Sequence, residues 1–470
     1  MGCEAECIDL DGALLRTDLL YESVLLLLRK NPLFLFLLPV WLLRGKARLK
    51  REVARRVEID ASSLPYDSRV VEHLQRTANR PRVLCTASDE LLAWPVARHL
   101  GLFDQVLASD GRTNLGGAAK AEVLVASFGE RGFAYTGNSS TDLHIWRVAR
   151  RARVVNAPDR LARRAAAVVP VESHWPAPGV GMLIWLKAIR IHQWLKNLLV
   201  FVPLLAAHRY LDPLAVSQGL LAFLAFGLCA SGVYVVNDLL DLQSDRQHPR
   251  KRDRPFASGS IPVLHGMLAG PLLTLAGLAV AWVATPAFAA VLAGYWLVTL
   301  SYSLWLKRVE MLDVTVLAGL YTVRIIGGAV AVAVPLSFWL LAFSMFIFLS
   351  LAMLKRYTEL SAMAADGRDQ ASGRGYATAD LPLLQSLGGA SGYLAVLVLA
   401  LYINSPDSVD LYSRPQLLWL LCPLLLYWVS RAWSVAHRGK MHDDPVIFAV
   451  TDPVSQAVIG LCGLAALGAI

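Results

Sequence analysis

Asn237-Asp238-Leu239-Leu240-Asp241-Leu242-Gln243-Ser244-Asp245-Arg246-Gln247-His248-Pro249-Arg250-Lys251-Arg252-Asp253-Arg254-Pro255 is the stretch of this 470-residue chain that says most about its fold. Asn237, Asp241 and Asp245 are spaced i, i+4, i+8, so on a helix they share one face, with Asp238 at its edge. Like carboxylates on one face repel and call for a counter-ion. Such a stack of oxygen ligands suits Mg2+, which keeps several waters and is completed by substrate phosphates. The basic residues that follow, Lys251 and Arg254 above all, are placed to meet diphosphate oxygens. The plainer alternative is a solvated loop beside a membrane.

Outward from this stretch the chain is apolar in runs of about twenty residues, the length that crosses a bilayer. Nine spans are expected, at 193–207, 215–236, 263–283, 286–306, 312–333, 337–354, 384–403, 415–432 and 446–470, with Lys196 and Asn197 interrupting the first. Composition agrees: 56% of residues are hydrophobic and only 17% charged. Residues 1–180 hold 25 Lys/Arg and 20 Asp/Glu, while the remaining 290 hold 20 and 16, so charge density halves where the apolar runs begin. This reads as a soluble domain followed by a polytopic membrane domain.

The net charge of +9 does not point to nucleic acid, because many of the C-terminal basic residues sit in alternate short loops, as orientation signals do. One set of loops carries Arg246, Arg250, Lys251, Arg252 and Arg254, then Lys307 and Arg308, then Lys355, Arg356, Arg368 and Arg374, then Arg431, Arg438 and Lys440; the opposite set has little more than Arg209 and Arg414. The basic loops are expected in the cytoplasm and the C-terminus outside. Met1-Gly2-Cys3-Glu4 lacks the basic and apolar regions of a signal peptide, so the N-terminal domain is expected in the cytoplasm. The six cysteines of the whole chain show no metal-ligand spacing, which indicates neither a zinc site nor a disulfide framework.

In the soluble part (1–166, with a Pro- and Gly-rich linker at 167–182 before the membrane domain at 183–470), Cys7-Ile8-Asp9-Leu10-Asp11-Gly12 reads as a strand meeting a turn. Val83 to Ser88 reads as a second strand entering a helix near Asp89, and Phe133 to Thr136 as a third, ending in Gly137-Asn138-Ser139. Strands alternating with helices predict a parallel α/β sheet with ligands at the carboxyl ends of its strands. Between the first two strands, the apolar runs Val24–Leu28 and Leu33–Leu43 are too short to span and are flanked by Arg44, Lys46, Arg48, Lys50 and Arg51. They read as an amphipathic hairpin on the cytoplasmic leaflet or as a helical cap over their own domain.

Asp9 and Asp11, two positions apart, project to one side of an extended chain and can share a metal or a phosphoryl group. Together with Thr86, Lys120 and the Gly137 to Asp142 turn, they resemble the haloacid dehalogenase (HAD) phosphatase superfamily with a cap inserted at about 19–80. The resemblance implies that Asp9 is a nucleophile and Asp11 a general acid and base. It further implies that Thr86 and Lys120 hold phosphoryl oxygens, and that Asp9, Asp11 and Asp142 bind Mg2+. Two positions depart from that pattern: Ala13 stands where Thr is common, and Asn138 where an acidic residue is common.

The 237–255 stretch resembles the first aspartate-rich motif of the UbiA superfamily of intramembrane prenyltransferases, all-α bundles of nine transmembrane helices that bind Mg2+-diphosphate at their cytoplasmic end. The second motif of that superfamily, commonly DxxxD, is absent; Tyr302-Ser303-Leu304-Trp305-Leu306-Lys307, Asp313-Val314, Tyr321 and Arg324 stand there instead. With Arg190-Ile191-His192-Gln193-Trp194-Leu195-Lys196-Asn197 and Lys355-Arg356, this is similar to the decaprenyl-phosphate phosphoribosyltransferase branch. The resemblance implies that phosphoribosyl diphosphate (PRPP) is the donor and a polyprenyl phosphate the acceptor. Asn237, Asp238, Asp241 and Asp245 would hold Mg2+, with Asp241 catalytic. Lys196, Lys251, Arg254, Tyr302, Lys307 and Arg324 would contact substrate. The rival readings are an aromatic or tetrapyrrole prenyltransferase using a polyprenyl diphosphate, and a lipid transporter with a regulatory soluble domain.

Overall fold

The computed structural model describes residues 4–77, 79–365, 367, 375–441 and 444–470. Met1 to Cys3, Arg368 and Arg374, named above, lie outside the described residues. The chain divides into two compact units, Met1–Ile189 with Tyr234–Pro271, and Arg190–Val233 with Leu272–Ile470.

In the first unit β1 (Ala5–Ile8), β2 (Arg82–Asp89), β3 (Gln105–Ser109), β4 (Phe133–Gly137), β5 (Arg151–Val155) and β6 (Val171–Trp175) form one parallel sheet in the order β3-β2-β1-β4-β5-β6. This is the Rossmann-like order, in which the strand sequence reverses at β1 and β4 and leaves a crevice at their carboxyl ends. Strand alternation explains why both faces are covered. Ala5 and Cys7 join a core with Phe133, Tyr135 and Trp146, whereas Ile8 and Leu10 join one with Leu14, Leu27 and Val53. The sheet runs further than the expected boundary at 166, since β6 lies within the Pro- and Gly-rich stretch and pairs with β5. Alternating residues 171–175 are compatible with an edge strand, and the prolines fall outside them.

Between β1 and β2 the chain makes α1 (Leu19–Lys30), α2 (Leu37–Leu43), α3 (Lys46–Ala54) and α4 (Ser68–Arg76). Asp18 caps α1 by accepting from the Leu20 N–H at 2.8 Å, and Arg29 and Lys30 complement the helix dipole at its other end. Leu33, Leu35, Phe36, Val40, Leu42 and Leu43 are exposed around α2, where Trp41 is buried. The sheet is completed by α5 (Glu90–Leu100), α6 (Ala118–Phe128), α7 (Leu143–Trp146) and α8 (Asp159–Ala166), followed by α9 (Met182–Ala188).

The remaining helices are α10 (Val202–Ala206), α11 (Pro213–Leu240), α12 (Leu242–Gln247), α13 (Val263–Ala284), α14 (Pro286–Leu304), α15 (Leu312–Ala331), α16 (Phe338–Ala365), α17 (Leu381–Ile403), α18 (Pro406–Leu411), α19 (Leu421–His437), α20 (Pro445–Thr451) and α21 (Pro453–Ala469). Among the described residues seven helices are long and apolar enough to cross a membrane; α20 and α21, bent by 74° at Asp452, make up to eight. The first of the nine expected spans is not among them. The segment expected at 193–207 is a 3-10 helix (Ile191–Phe201) that gives way to the short α10 at a proline, and its Lys196 and Asn197 are buried against polar partners rather than facing lipid. The long apolar helices make this an integral membrane protein.

Candidate functional site

The carboxyl ends of β1, β2 and β4 bring together every residue singled out in the soluble part. Asp9, one residue past β1, accepts from its neighbour's N–H (Leu10, 3.0 Å) and from the ammonium of Lys120 on α6 (2.8 Å). Lys120 also donates to the Tyr135 hydroxyl at 3.0 Å, and Tyr135 in turn donates to Asp142 at 3.3 Å. The other oxygen of Asp142 accepts from the backbone N–H groups of Asn138 (2.9 Å) and Ser139 (2.8 Å). Asp11 accepts from the Leu19 N–H (2.9 Å), Thr86 Oγ1 (3.2 Å) and Ser88 Oγ (2.7 Å). Gly12, at φ +77°, is required here, because a Cβ would come within 1.9 Å of the Asn138 amide.

Electrostatics separates these groups. Burial first, then the Asp18 and Asp9 charges, push Asp11 up to about 7 against its hydrogen bonds. Burial and the Asp9 charge push Asp142 up to about 6, with Lys120 opposing. Burial disfavours the Lys120 ammonium, but the carboxylates of Asp9 and Asp142 outweigh that and drive it upward. Sequence reasoning missed Ser88 and Tyr135, as well as Lys50 of α3, which donates to the Ala87 carbonyl at 2.5 Å and to Asn114 at 2.8 Å. Nothing in their local spacing marks them; Lys50 arrives from the cap and Tyr135 from the interior of β4.

The aspartate-rich stretch does not form one continuous helix. It breaks at Asp241, where φ −100° and ψ 12° separate the last turn of α11, carrying Asn237 and Asp238, from α12, carrying Asp245. The Asp241 N–H still bonds the Asn237 carbonyl at 3.0 Å and the Asp245 N–H the Asp241 carbonyl at 2.8 Å, while the break leaves Asp238 and Asp245 on two successive helices. Both are buried, and Arg254 Nη1 lies 3.1 Å from Asp238 and 2.6 Å from Asp245. Burial raises the Asp245 pKa, and Arg254 opposes the rise. Asp241 is half-buried, 3.3 Å from Arg29 Nη2 of α1, and Lys251 is exposed at the turn before Arg254.

Two carboxylates from two helices that converge on a single cationic nitrogen offer the donor set a divalent cation needs when phosphates complete its shell. The residues therefore fit Mg2+, with Arg254 standing in the cation's place. In the soluble centre the Lys120 ammonium pairs with Asp9 directly and reaches Asp142 through the Tyr135 hydroxyl. Among the described residues no group of three or more His, Cys, Asp or Glu side chains is close enough to hold a metal by itself.

In the second unit Arg324, on α15 and 4% exposed, donates to Asn197 Oδ1 (3.0 Å), the Leu320 carbonyl (2.6 Å) and the Tyr295 hydroxyl (2.8 Å). Its guanidinium lies 5.6 Å from the Tyr321 ring centre, and Lys196 lies 5.7 Å from the same ring. Lys196 is ion-paired with Asp444, to which Lys355 approaches at 4.0 Å. The buried Asn197 Nδ2 has no hydrogen-bond partner among the described residues. Tyr302 belongs to a separate group: it donates to Asp313 at 2.6 Å and accepts from Arg356 at 3.2 Å, and Arg356 is also paired with Asp313 and Glu359. Lys307 sits on a short 3-10 turn, half-buried. Asp444 and Tyr295 were missed because their partners lie 248 and 29 residues away.

Seven to eight long apolar helices among the described residues define a polytopic membrane protein. A family model, the UbiA prenyltransferase family, matches residues 198–450, and the chain belongs to that family. An uncharacterized protein, y4nM of Sinorhizobium fredii, is 37% identical over 95% of this chain and 87% of its own length. Nodulation protein NoeC of Azorhizobium caulinodans is 37% identical over 62% of this chain and 94% of its own. The decaprenyl-phosphate phosphoribosyltransferase of Mycobacterium tuberculosis is 33% identical over 60% of this chain and 92% of its own.

Proposed function

We propose that the membrane unit transfers the phosphoribosyl group of PRPP to a polyprenyl phosphate. The soluble unit, read as a HAD phosphatase, then removes the 5-phosphate from the lipid product. The observation that carries the transfer reading is the surplus of buried cation in the second unit. Lys196 and Arg324 flank Tyr321 beside the open amide donor of Asn197, a cradle for an anionic headgroup in addition to the diphosphate. The relatives named decaprenyl-phosphate phosphoribosyltransferase, matched over nearly their whole length, support the same choice.

In the transfer step an oxygen of the lipid phosphate forms a bond to C1 of the ribose as the bond from C1 to diphosphate breaks, and the diphosphate leaves with the electron pair. Asn237, Asp238, Asp241 and Asp245 would hold Mg2+, which when bound neutralises charge on the departing diphosphate. Lys251 and Arg254 donate to the same oxygens, so Arg254 exchanges its carboxylate partners for phosphate. Lys196, Arg324 and Lys307 orient the acceptor phosphate, which is already ionised and needs no general base. Tyr302 acts at one remove by holding Asp313 and Arg356 in place. The basic loops set this chemistry on the cytoplasmic side.

In the soluble centre Asp9 attacks phosphorus while the bond to the ribose oxygen breaks, and Asp11 delivers a proton to that oxygen. Its raised pKa suits a group that must carry a proton near neutrality. Water then hydrolyses the aspartyl-phosphate, with Asp11 taking its proton. Lys120 and Thr86 hold phosphoryl oxygens. Tethering both centres to one chain raises the effective concentration of the second. The exposed apolar residues around α2, next to Arg44, Lys46 and Arg48, lie on the cytoplasmic leaflet.

The test uses membranes containing the full chain, polyprenyl phosphate, Mg2+ and PRPP labelled in the ribose. Label is expected in the organic extract, and to vanish with Asp241→Ala; a fully active Asp241→Ala contradicts the assignment.

A further inference from the structure

Helix α1 of the soluble domain has a chemical partner at each end. At its first turn the Leu19 N–H is donated to Asp11, 2.9 Å away. At its last turn Arg29 pairs with Asp241 at 3.3 Å and donates to the Leu240 carbonyl, also at 3.3 Å. The ten helical steps from Leu19 to Arg29 put these two carboxylates at opposite ends of about 15 Å of helix. In the first turn, the buried carboxylate of Glu22 accepts from both terminal nitrogens of Arg246, at 2.6 and 2.8 Å.

Arg246 does more than pair. Its Nε donates to the Ala257 carbonyl at 2.9 Å, so one guanidinium ties α12, which carries Asp245, to the turn that carries Lys251 and Arg254. Around it the same stretch is pinned to the soluble domain at three further points. Gln243 donates to the Glu58 carbonyl at 3.4 Å and Gln247 to Asp60 at 3.0 Å. Gly259, at φ +72°, lets the backbone close on Arg16, where a Cβ would meet Arg16 Cβ at 2.9 Å. A buried two-pronged arginine–carboxylate pair between residues 224 apart in sequence is costly for either partner to leave unmatched.

We propose that Glu22 is a positioning residue for the transferase: through Arg246 it fixes the helix bearing Asp245 and the turn bearing Arg254, and α1 couples that stretch to Asp11 of the soluble centre. Coupling of this kind is reciprocal, so occupancy at one end of α1 is felt at the other. The inference rests on the transfer reading only for its kinetic readout; its structural readout is independent of which donor the membrane unit uses.

The experiment follows hydrogen exchange of the full-length protein in nanodiscs, with and without Mg2+ and inorganic diphosphate, beside transfer kinetics. Glu22→Gln is expected to raise exchange across 242–258 by at least about tenfold while β1 and β4 keep their protection. It should lower kcat by at least about tenfold with KM for the lipid little changed, and Glu22→Asp should restore part of both. Arg246→Lys, altered on the other side of the pair, should give the same exchange pattern and guards against a Glu22 variant that disturbs the soluble core. Unchanged exchange across 242–258 in both Glu22→Gln and Arg246→Lys overturns the proposal. A wild-type protein that orders 242–258 through Glu22 yet transfers nothing from PRPP would instead overturn the functional reading.

Discussion

Asp238 and Asp245, on either side of the helix break at Asp241, both lie within reach of a single Arg254 nitrogen, at 3.1 and 2.6 Å. Two buried carboxylates held this close are stable only with positive charge between them. In the structure Arg254 supplies it, and in the proposed turnover Mg2+ would supply it while Arg254 meets the diphosphate.

Replacing either partner should therefore silence transfer without unfolding the chain. Asp245→Asn is expected to lower the rate of phosphoribosyl transfer by about 10²–10³-fold, the scale for losing one preorganised charge at the leaving group. Asp238→Asn should do the same. The check is organic-extractable ribose label, with hydrogen exchange of α13 and α15 as the control for folding.

The soluble centre makes a separable prediction. Asp9→Asn removes the attacking oxygen while keeping a hydrogen-bond acceptor for Lys120, 2.8 Å away. Transfer should continue and lipid-linked ribose 5-phosphate should accumulate, measured as retained 5-phosphate in the extracted lipid. Phosphate release as fast as in the wild type would remove the phosphatase from the account.

Glu6 gives a pH dependence with a definite sign. Burial alone would raise its pKa, but His73, Arg153 and Arg80 overcome that and hold it near about 2, below an ordinary value of 4.5. A depressed carboxylate stabilises the fold above its unfolded pKa and loses that contribution as pH falls through 4.5 toward 2. The contribution is about 3 kcal/mol. Acid unfolding of the soluble unit, followed by emission from the buried Trp146, should show this dependence, and Glu6→Gln should flatten it.

The outward apolar residues around α2 predict lipid contact. A fluorophore placed at Leu43→Cys, the most exposed of them at 89%, should be quenched by spin-labelled lipid in nanodiscs containing anionic headgroups. Phe36→Asp should reduce that quenching, and absence of quenching in the unaltered hairpin would place it in water.

Much of this was legible in the sequence wherever the signal is local. Cys7 to Gly12, Val83 to Ser88 and Phe133 to Ser139 fall on β1, β2 and β4 and their ends as their strand-then-turn pattern predicts. Eight of the nine expected spans coincide with long apolar helices or the bent α20 and α21 pair. What the sequence hid depends on distant partners. Periodicity treats 237–245 as one helix and registers neither the break at Asp241 nor the meeting of Asp238 and Asp245 with Arg254, which lies 16 and 9 residues further on. Lys196 looked like an interruption in a span; its meaning is Asp444, at the far end of the chain. Glu22, just ahead of the apolar run Val24–Leu28, carries no mark in the sequence, and its buried partner Arg246 lies 224 residues away. Strand β6 was hidden by the prolines around it.

The most direct measurement gives the full-length protein polyprenyl phosphate, Mg2+ and PRPP carrying one label on a ribose carbon and a second on the 5-phosphate. The two labels are then counted in extracted lipid over time. The account predicts that both labels enter the lipid together and that the phosphate label alone is then lost, a loss abolished by Asp9→Asn. Lipid carrying neither label, beside an active control enzyme, would contradict it.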